Sequence, residues 1–177
     1  MRRTLNARHD RFALTQPFRI SRGVKTVADV VTVTIGEGDA VGRGEGVPYA
    51  RYGESIDSAL AQVEAARDLI ERGGGRRELL AELPAGAARN AIDCALWDLE
   101  ARLSGVSVAA AIGAPEPERL ASALTIVIDT PDAMGRAAAA VARAPLLKVK
   151  VNADDPAAQI RAVWDAAPEA ALIVDPN

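Results

Sequence analysis

The chain of 177 residues is long enough to bury a core, and its 49% hydrophobic content is typical of globular rather than disordered proteins. Its 21 basic and 24 acidic residues are mixed along the sequence, so no basic stripe favours nucleic acid as a partner. No segment has the length and the lack of charge that a signal peptide or a membrane span requires. We therefore expect a cytoplasmic protein that neither binds nucleic acid nor crosses a membrane.

The single cysteine and the single histidine limit the chemistry that the chain can perform. Cys94 has no partner for an internal disulfide or a cysteine zinc cluster, and its apolar neighbours predict a buried side chain. His9 has no second histidine with which to share a metal, so we expect it at the surface or at a strand edge. Chemistry must therefore rest on lysines and carboxylates.

The first part of the chain predicts a small antiparallel sheet. Residues 26–35 are rich in β-branched side chains, and the turn residues at 36–39 lead into residues 40–46, which together predict a hairpin. A further strand is expected around residues 12–18. These strands precede helical patterns, so the first hundred or so residues indicate an α+β domain.

Two helices are expected after the sheet. The first begins near residues 54–57 and runs to about Glu71, where three consecutive glycines at 73–75 end it. The second begins near Pro84 or Ala87 and ends before Gly105, because apolar residues recur there at helical spacing.

From residue 123 onward, strands and helices alternate. The predicted order is a strand at 124–128, a helix at 133–143, a strand at 146–151, a helix at 156–166 and a strand at 171–175. Such alternation implies a parallel sheet. Thr125, Lys148 and Asp175 lie near corresponding places in successive units, which is the pattern of a (β/α)8 barrel.

The strands at 146–151 and 171–175 place reactive groups together. Side chains alternate between the two faces of a strand, so Lys148 and Lys150 share a face while the apolar residues between them occupy the other. Asp175 ends the next strand, where parallel α/β folds carry catalytic and metal-binding groups.

The predicted barrel is incomplete. A complete (β/α)8 barrel needs about 250 residues, and only about two and a half of its eight units follow the first domain. We therefore expect an N-terminal fragment, with an α+β domain at residues 1–115 and the start of a truncated TIM barrel at residues 116–177. A natural short α/β protein is the alternative.

Several segments in register resemble the enolase superfamily, and within it the bacterial dipeptide epimerases that interconvert L-Ala-D-Glu and L-Ala-L-Glu. The segments are Pro17–Gly23, Gly42–Ser55 and Pro84–Leu99, followed by Thr125, Lys148-Val149-Lys150 and Asp175-Pro176-Asn177. The resemblance covers essentially the whole chain. One departure is Pro176, because the family usually has alanine at that place.

The resemblance implies a fold and a cofactor. An α+β capping domain would cover the mouth of the barrel, and one Mg²⁺ ion would be held by three carboxylates on successive strands. Asp175 resembles the first of these ligands. The other two ligands, and a lysine on the opposite side of the barrel, would lie beyond Asn177.

The resemblance also implies roles for individual residues. Lys150 would be the acid-base on one face of the substrate α-carbon, and Lys148 would assist electrostatically. Arg22 resembles a capping-domain residue that meets the distal charge of the substrate, and Thr125 resembles a substrate-contacting residue on the first barrel strand. The metal would stabilise the enediolate that forms when the weakly acidic α-proton is removed.

The residues by themselves leave other interpretations open. Lysines are common on exposed edge strands, and Asp175 could cap a helix or close a turn. Arg22 could be a solvated turn residue and Thr125 merely a strand former. Tyr49, Arg51 and Tyr52 lie in a loop bounded by glycine and proline, where binding residues are often found; their individual roles stay open.

The most specific expectation is a Mg²⁺-dependent epimerase of the isomerase class that acts on a dipeptide, with L-Ala-D/L-Glu epimerisation in peptidoglycan-peptide recycling as its reaction. The full-length protein could form a homo-oligomer. The alternatives are another enolase-superfamily enzyme, such as a cycloisomerase or an o-succinylbenzoate synthase, and a non-catalytic interaction domain.

Overall fold

The computed structural model describes residues 2–20, 23–116 and 118–176, which form two compact units. The first unit comprises the described residues within 1–12 and 27–116, and the second those within 13–26 and 117–177. Strands β1 (Thr4–Ile20) and β2 (Gly23–Glu37) each contribute residues to both units.

The first unit contains a three-stranded sheet in the order β1-β2-β3, with β3 at Ala40–Gly46. Strands β2 and β3 are antiparallel and are joined by a tight turn, where Gly38 has a φ of +59°. The predicted hairpin is therefore confirmed. Strand β1 begins at Thr4 rather than near residue 12, because charged side chains obscure its alternation, in which Leu5 is buried.

Five α-helices follow within the described part of the first unit: α1 (Ile56–Ala65), α2 (Arg67–Glu71), α3 (Arg76–Glu82), α4 (Ala87–Ser104) and α5 (Val108–Ala111). Helix α1 starts at a capping box, in which Ser55 and Ser58 bond each other's backbone N–H groups. The continuous helix expected through residue 71 is interrupted at Ala66. Helices α3 and α5 were not predicted, because seven and four residues are too few to show a clear helical period.

Strand β3 and helix α4 pack with almost nothing between their backbones. A Cβ atom added at Gly42, Gly44 or Gly46 would overlap the backbone carbonyl oxygen of Ala95, Ala91 or Ala87 respectively. We call this contact the glycine-alanine seam. Glycine is required at its three strand positions because any side chain would collide with the helix backbone.

Side chains of α4 also satisfy the backbone of β3, which is the last strand of the described sheet. Asp98 accepts a hydrogen bond from the backbone N–H of Arg43 at 2.9 Å. Asn90 donates one to the backbone oxygen of Glu45, also at 2.9 Å. The helix therefore covers an edge that would otherwise offer unpaired groups to another strand.

The buried side of α4 packs against the inner face of the sheet and against α1 and α3. The core residues are Leu5, Val31, Val33, Ile35, Ala59, Val63, Ile70, Leu79, Ile92, Leu96 and Leu99, together with small alanines. The expectation that Cys94 is buried is wrong: its side chain is exposed. The reason is helical geometry, because Cys94 shares a stripe with exposed Asn90 and partly exposed Trp97 rather than with Ile92.

The second unit contains a parallel sheet in the order β4-β5-β6, with one helix in the chain between each strand and the next. The strands are β4 (Leu124–Ile126), β5 (Leu146–Lys150) and β6 (Ala171–Asp175), and the helices are α6 (Pro131–Ala140) and α7 (Pro156–Ala166). The strands and helices of this unit share an apolar core, which includes Ile126, Met134, Ala138, Leu147, Val149, Val151 and Val163. The predicted strand and helix alternation is confirmed, and β4 ends two residues earlier than expected.

No helix within residues 2–20, 23–116 and 118–176 is long and apolar enough to cross a membrane.

The glycine-alanine seam generates a stability prediction. Gly44→Ala places a methyl group on the carbonyl oxygen of Ala91, and the atoms that would have to move are helix backbone. We expect a loss of about 3 kcal/mol in the free energy of unfolding, at the upper end of ordinary overpacking. Urea unfolding measures this, with Arg43→Ala as the control because that exposed neighbour has its side chain on the other face. Equal stabilities for the two variants would contradict the seam.

Candidate active site

Strand β5 separates an apolar face from a basic face. Leu147 and Val149 are fully buried against the helices of the second unit. Lys148 and Lys150 alternate with them and therefore lie on the opposite face of the sheet. The Lys150 side chain is the more enclosed of the two, at 11% exposed against 38% for Lys148.

Asp175 joins the two lysines at the carboxyl end of the sheet. It is paired with Lys150 across the parallel strands β5 and β6. One of its carboxylate oxygens, Oδ2, lies 2.8 Å from Nζ of Lys150 and 2.9 Å from Nζ of Lys148. Lys148 and Lys150, on alternate positions of one strand, thus converge with Asp175, which lies 25 residues after Lys150 in the sequence.

Thr125 lies on the same face, one strand away from the lysines. It is paired with Lys148 across β4 and β5, and adjacent partners in a parallel sheet project to the same side. Its side chain is partly buried. The fifth candidate, Arg22, lies outside the described residues.

One group at this point is of a type that binds hard cations. Carboxylate oxygen is a ligand that Mg²⁺ prefers, and the Asp175 carboxylate lies at the end of a parallel strand, where its Oδ2 is paired with both lysines. Within the part of the chain that the structure describes, no group of three or more histidine, cysteine, aspartate or glutamate residues is arranged to hold a metal ion. The described residues therefore do not contain a complete ligand set.

The first unit presents a loop of aromatic and basic residues at 47–54. A short 3-10 turn at Ala50–Tyr52 brings the rings of Tyr49 and Tyr52 to 6.0 Å between centroids. Tyr52 is 77% exposed. The two tyrosine rings of this loop are thus held near each other.

Glu54 anchors that loop, and the sequence patterns did not single it out for this task. Its Oε1 accepts a hydrogen bond from the backbone N–H of Ala87 at 2.6 Å, in the first turn of α4. Its Oε2 accepts one from the backbone N–H of Tyr49 at 3.2 Å. The carboxylate thereby joins the loop to a helix N-terminus, where a negative charge is stabilised. Only a long-range contact reveals this role, and local spacing carries no signal of it.

Both units also contain cavities. One in the second unit, of about 410 Å³, lies beside the loops that follow β4 and β5 and is lined by Asp129, Thr130, Asn152 and Asp155 among others. One in the first unit, of about 500 Å³, is lined by Arg76, Trp97 and mostly apolar side chains, and none of the predicted site residues lines it. The carboxyl ends of the parallel strands remain the better candidate, because barrel enzymes bind their ligands there.

The family follows from comparison with known proteins. A model of the mandelate racemase / muconate lactonizing enzyme N-terminal domain matches residues 2–113. The chain therefore belongs to this family of the enolase superfamily, as the sequence resemblance indicated. The fold class is confirmed as well: an α+β capping domain is followed by the first parallel β/α units, as in the N-terminal half of enolase-type structures.

Three relatives illustrate the similarity. L-Ala-D/L-Glu epimerase of Escherichia coli K12 is 45% identical over 177 residues, which cover 99% of this chain and 55% of that protein. An enolase family member from Agrobacterium tumefaciens with homology to dipeptide epimerases was solved with bound sodium and L-Ala-L-Glu. It is 49% identical to this chain with a TM-score of 0.91, and the match covers 99% of this chain and 54% of the Agrobacterium chain. A dipeptide epimerase from Cytophaga hutchinsonii, complexed with Mg and D-Ala-L-Val, is 26% identical with a TM-score of 0.84, covering 100% and 52%. The chain thus spans about half the length of these relatives.

Proposed function

We propose that the protein to which this chain belongs is a Mg²⁺-dependent dipeptide epimerase that acts on L-Ala-D/L-Glu, in the recycling of peptidoglycan peptides. In this proposal residues 1–115 are the capping domain and residues 116–177 begin the barrel. The observation that carries it is the convergence of Lys148, Lys150 and Asp175 at the carboxyl ends of neighbouring parallel strands. The 45% identity to an L-Ala-D/L-Glu epimerase supports the choice of substrate.

Epimerisation requires removal of a proton from the carbon next to a carboxylate and its return on the other face. In the proposed reaction Nζ of Lys150 takes this proton on one face and later gives it back. Lys150 suits the task because its enclosed side chain has few alternative positions, and its Nζ is held 2.8 Å from Asp175. The opposite face would be served by a base that is not among these residues.

The neighbouring residues would set the electrostatics and the orientation of the substrate. Lys148 places a second positive charge beside Asp175, where it would favour the negative charge that develops on the substrate carboxylate. Asp175 would contribute one oxygen ligand to Mg²⁺, which when bound supplies positive charge to the same carboxylate. Thr125 and Arg22 would contact the substrate. Another enolase-superfamily substrate would leave these roles unchanged, so separate assays with other dipeptides and with N-acyl amino acids must decide specificity.

The 177-residue polypeptide is expected to be inactive when it is produced alone. Asp175 provides one carboxylate, and the described residues hold no larger group of metal-binding side chains. The measurement is deuterium incorporation at the glutamate α-carbon of L-Ala-D-Glu with added Mg²⁺, and the full-length protein serves as the positive control. Mg²⁺-dependent exchange by the short polypeptide would contradict the proposed division of the site.

In the full-length protein, Lys150→Ala should abolish exchange from one epimer and leave partial exchange from the other, because separate bases serve the two faces. Lys148→Met should slow both, since its charge acts on the shared carboxylate. Deuterium incorporation from L-Ala-D-Glu and L-Ala-L-Glu, measured separately, distinguishes them. Arg161→Met on the exposed side of α7 is the control. Equal loss for both epimers in folded Lys150→Ala would exclude the two-base assignment.

Asp175→Asn should lower Mg²⁺ affinity and turnover together while the fold persists, because it removes a charge and nearly preserves shape. Titration of the full-length variant with Mg²⁺, by calorimetry and by activity, tests both effects. Asp165→Asn, an exposed change of the same kind on α7, is the matched control. If Asp175→Asn keeps the metal dependence and rate of the native protein, Asp175 is only a turn residue.

A further inference from the structure

Helix α7 buries one polar side chain among apolar ones. Gln159 is 4% exposed and lies one helical turn before Val163, which is fully buried. Burial of an amide without hydrogen bonds is costly, so a glutamine at such a position must have partners for its two ends. Its partners identify what it holds.

The two ends of the Gln159 amide bond the loops that follow β4 and β5. Its Nε2 donates to the backbone oxygen of Asp129 at 3.0 Å, and its Oε1 accepts from the backbone N–H of Asn152 at 3.2 Å. The last residue pair between these strands is Ile126 with Val149. Beyond that pair, the side-chain amide accepts from one chain segment and donates to the next, as a backbone peptide does within a sheet.

The other side of β5 is held by ordinary backbone pairing. The N–H of Val151 donates to the backbone oxygen of Asp175 at 3.2 Å. The two residues after Lys150 are therefore fixed in opposite directions, Val151 toward β6 and Asn152 toward Gln159 and the β4 loop. Both bonds therefore hold the end of the strand that carries Lys150.

We propose that Gln159 is a positioning residue. Its side-chain amide bridges Asp129 and Asn152, beyond the last residue pair of β4 and β5, and thereby fixes Nζ of Lys150. Its catalytic consequence rests on the function proposed above. A misplacement of about 1 Å at a reacting group can cost about 100-fold in rate, so a small movement of the strand end is sufficient. Lys148 lies two residues further from the strand end in the β5-β6 ladder than Lys150 and would move less.

The test uses the full-length protein with Gln159→Met, which keeps the length of the side chain and removes the amide. Gln62→Met, on α1 of the first unit, is the control. The first readout is hydrogen exchange of the Asn152 amide, which should become at least about 10-fold faster in Gln159→Met only. The second is kcat and KM for α-proton exchange from each epimer. We expect kcat to fall about 10- to 100-fold for the epimer that uses Lys150 and much less for the other, with little change in KM.

The two readouts separate the possible failures. An unchanged rate of hydrogen exchange at the Asn152 amide overturns the proposed bridge by Gln159, whatever the activity shows. An equal fall for both epimers, in proportion to the unfolded fraction, means that Gln159 only stabilises the fold and also overturns the proposal. If the native protein exchanges neither epimer, the proposed function fails, and protection of the Asn152 amide still decides whether Gln159 holds the strand end.

Discussion

The close approach of β3 to α4 is the constraint on which the first unit depends. Two residues of a strand span about 6.8 Å and four residues of a helix about 6 Å, so glycines two apart can face alanines four apart. Gly42, Gly44 and Gly46 face the helix backbone in this way. The contact places α4 directly on the sheet, and its apolar residues then meet those of β2. The hairpin and helix α4 therefore depend on the same close contact for their packing.

In the second unit, one strand packs against the helices on one face and carries the candidate site on the other. The two-residue period of β5 gives its apolar residues to the helices and its lysines to the opposite face. Parallel pairing with β6 then brings Asp175 level with Lys150. The packing of one face thus fixes the register of the other, since a slip by one residue would bury the lysines and expose Leu147 and Val149.

The sequence predicts the elements and faces that local periodicity encodes. The hairpin, α4, α7 and the basic face of β5 all follow from spacing of one strand or one helix. The short helices, the interruption at Ala66 and the exposure of Cys94 were missed, because they depend on a few residues or on which side of a helix meets the core. The ion pairs of Asp175 and the bridging by Gln159 and Glu54 join distant segments, which no local pattern reveals.

The carboxylate of Glu54 has a consequence for local unfolding. It bonds the first turn of α4 and the aromatic loop at the same time, so fraying of that turn removes the anchor of the loop. Opening of the loop and opening of the helix end are therefore coupled through this carboxylate. Order in an exposed segment is in this way supported by the buried helix α4 as well as by the loop's own backbone hydrogen bonds.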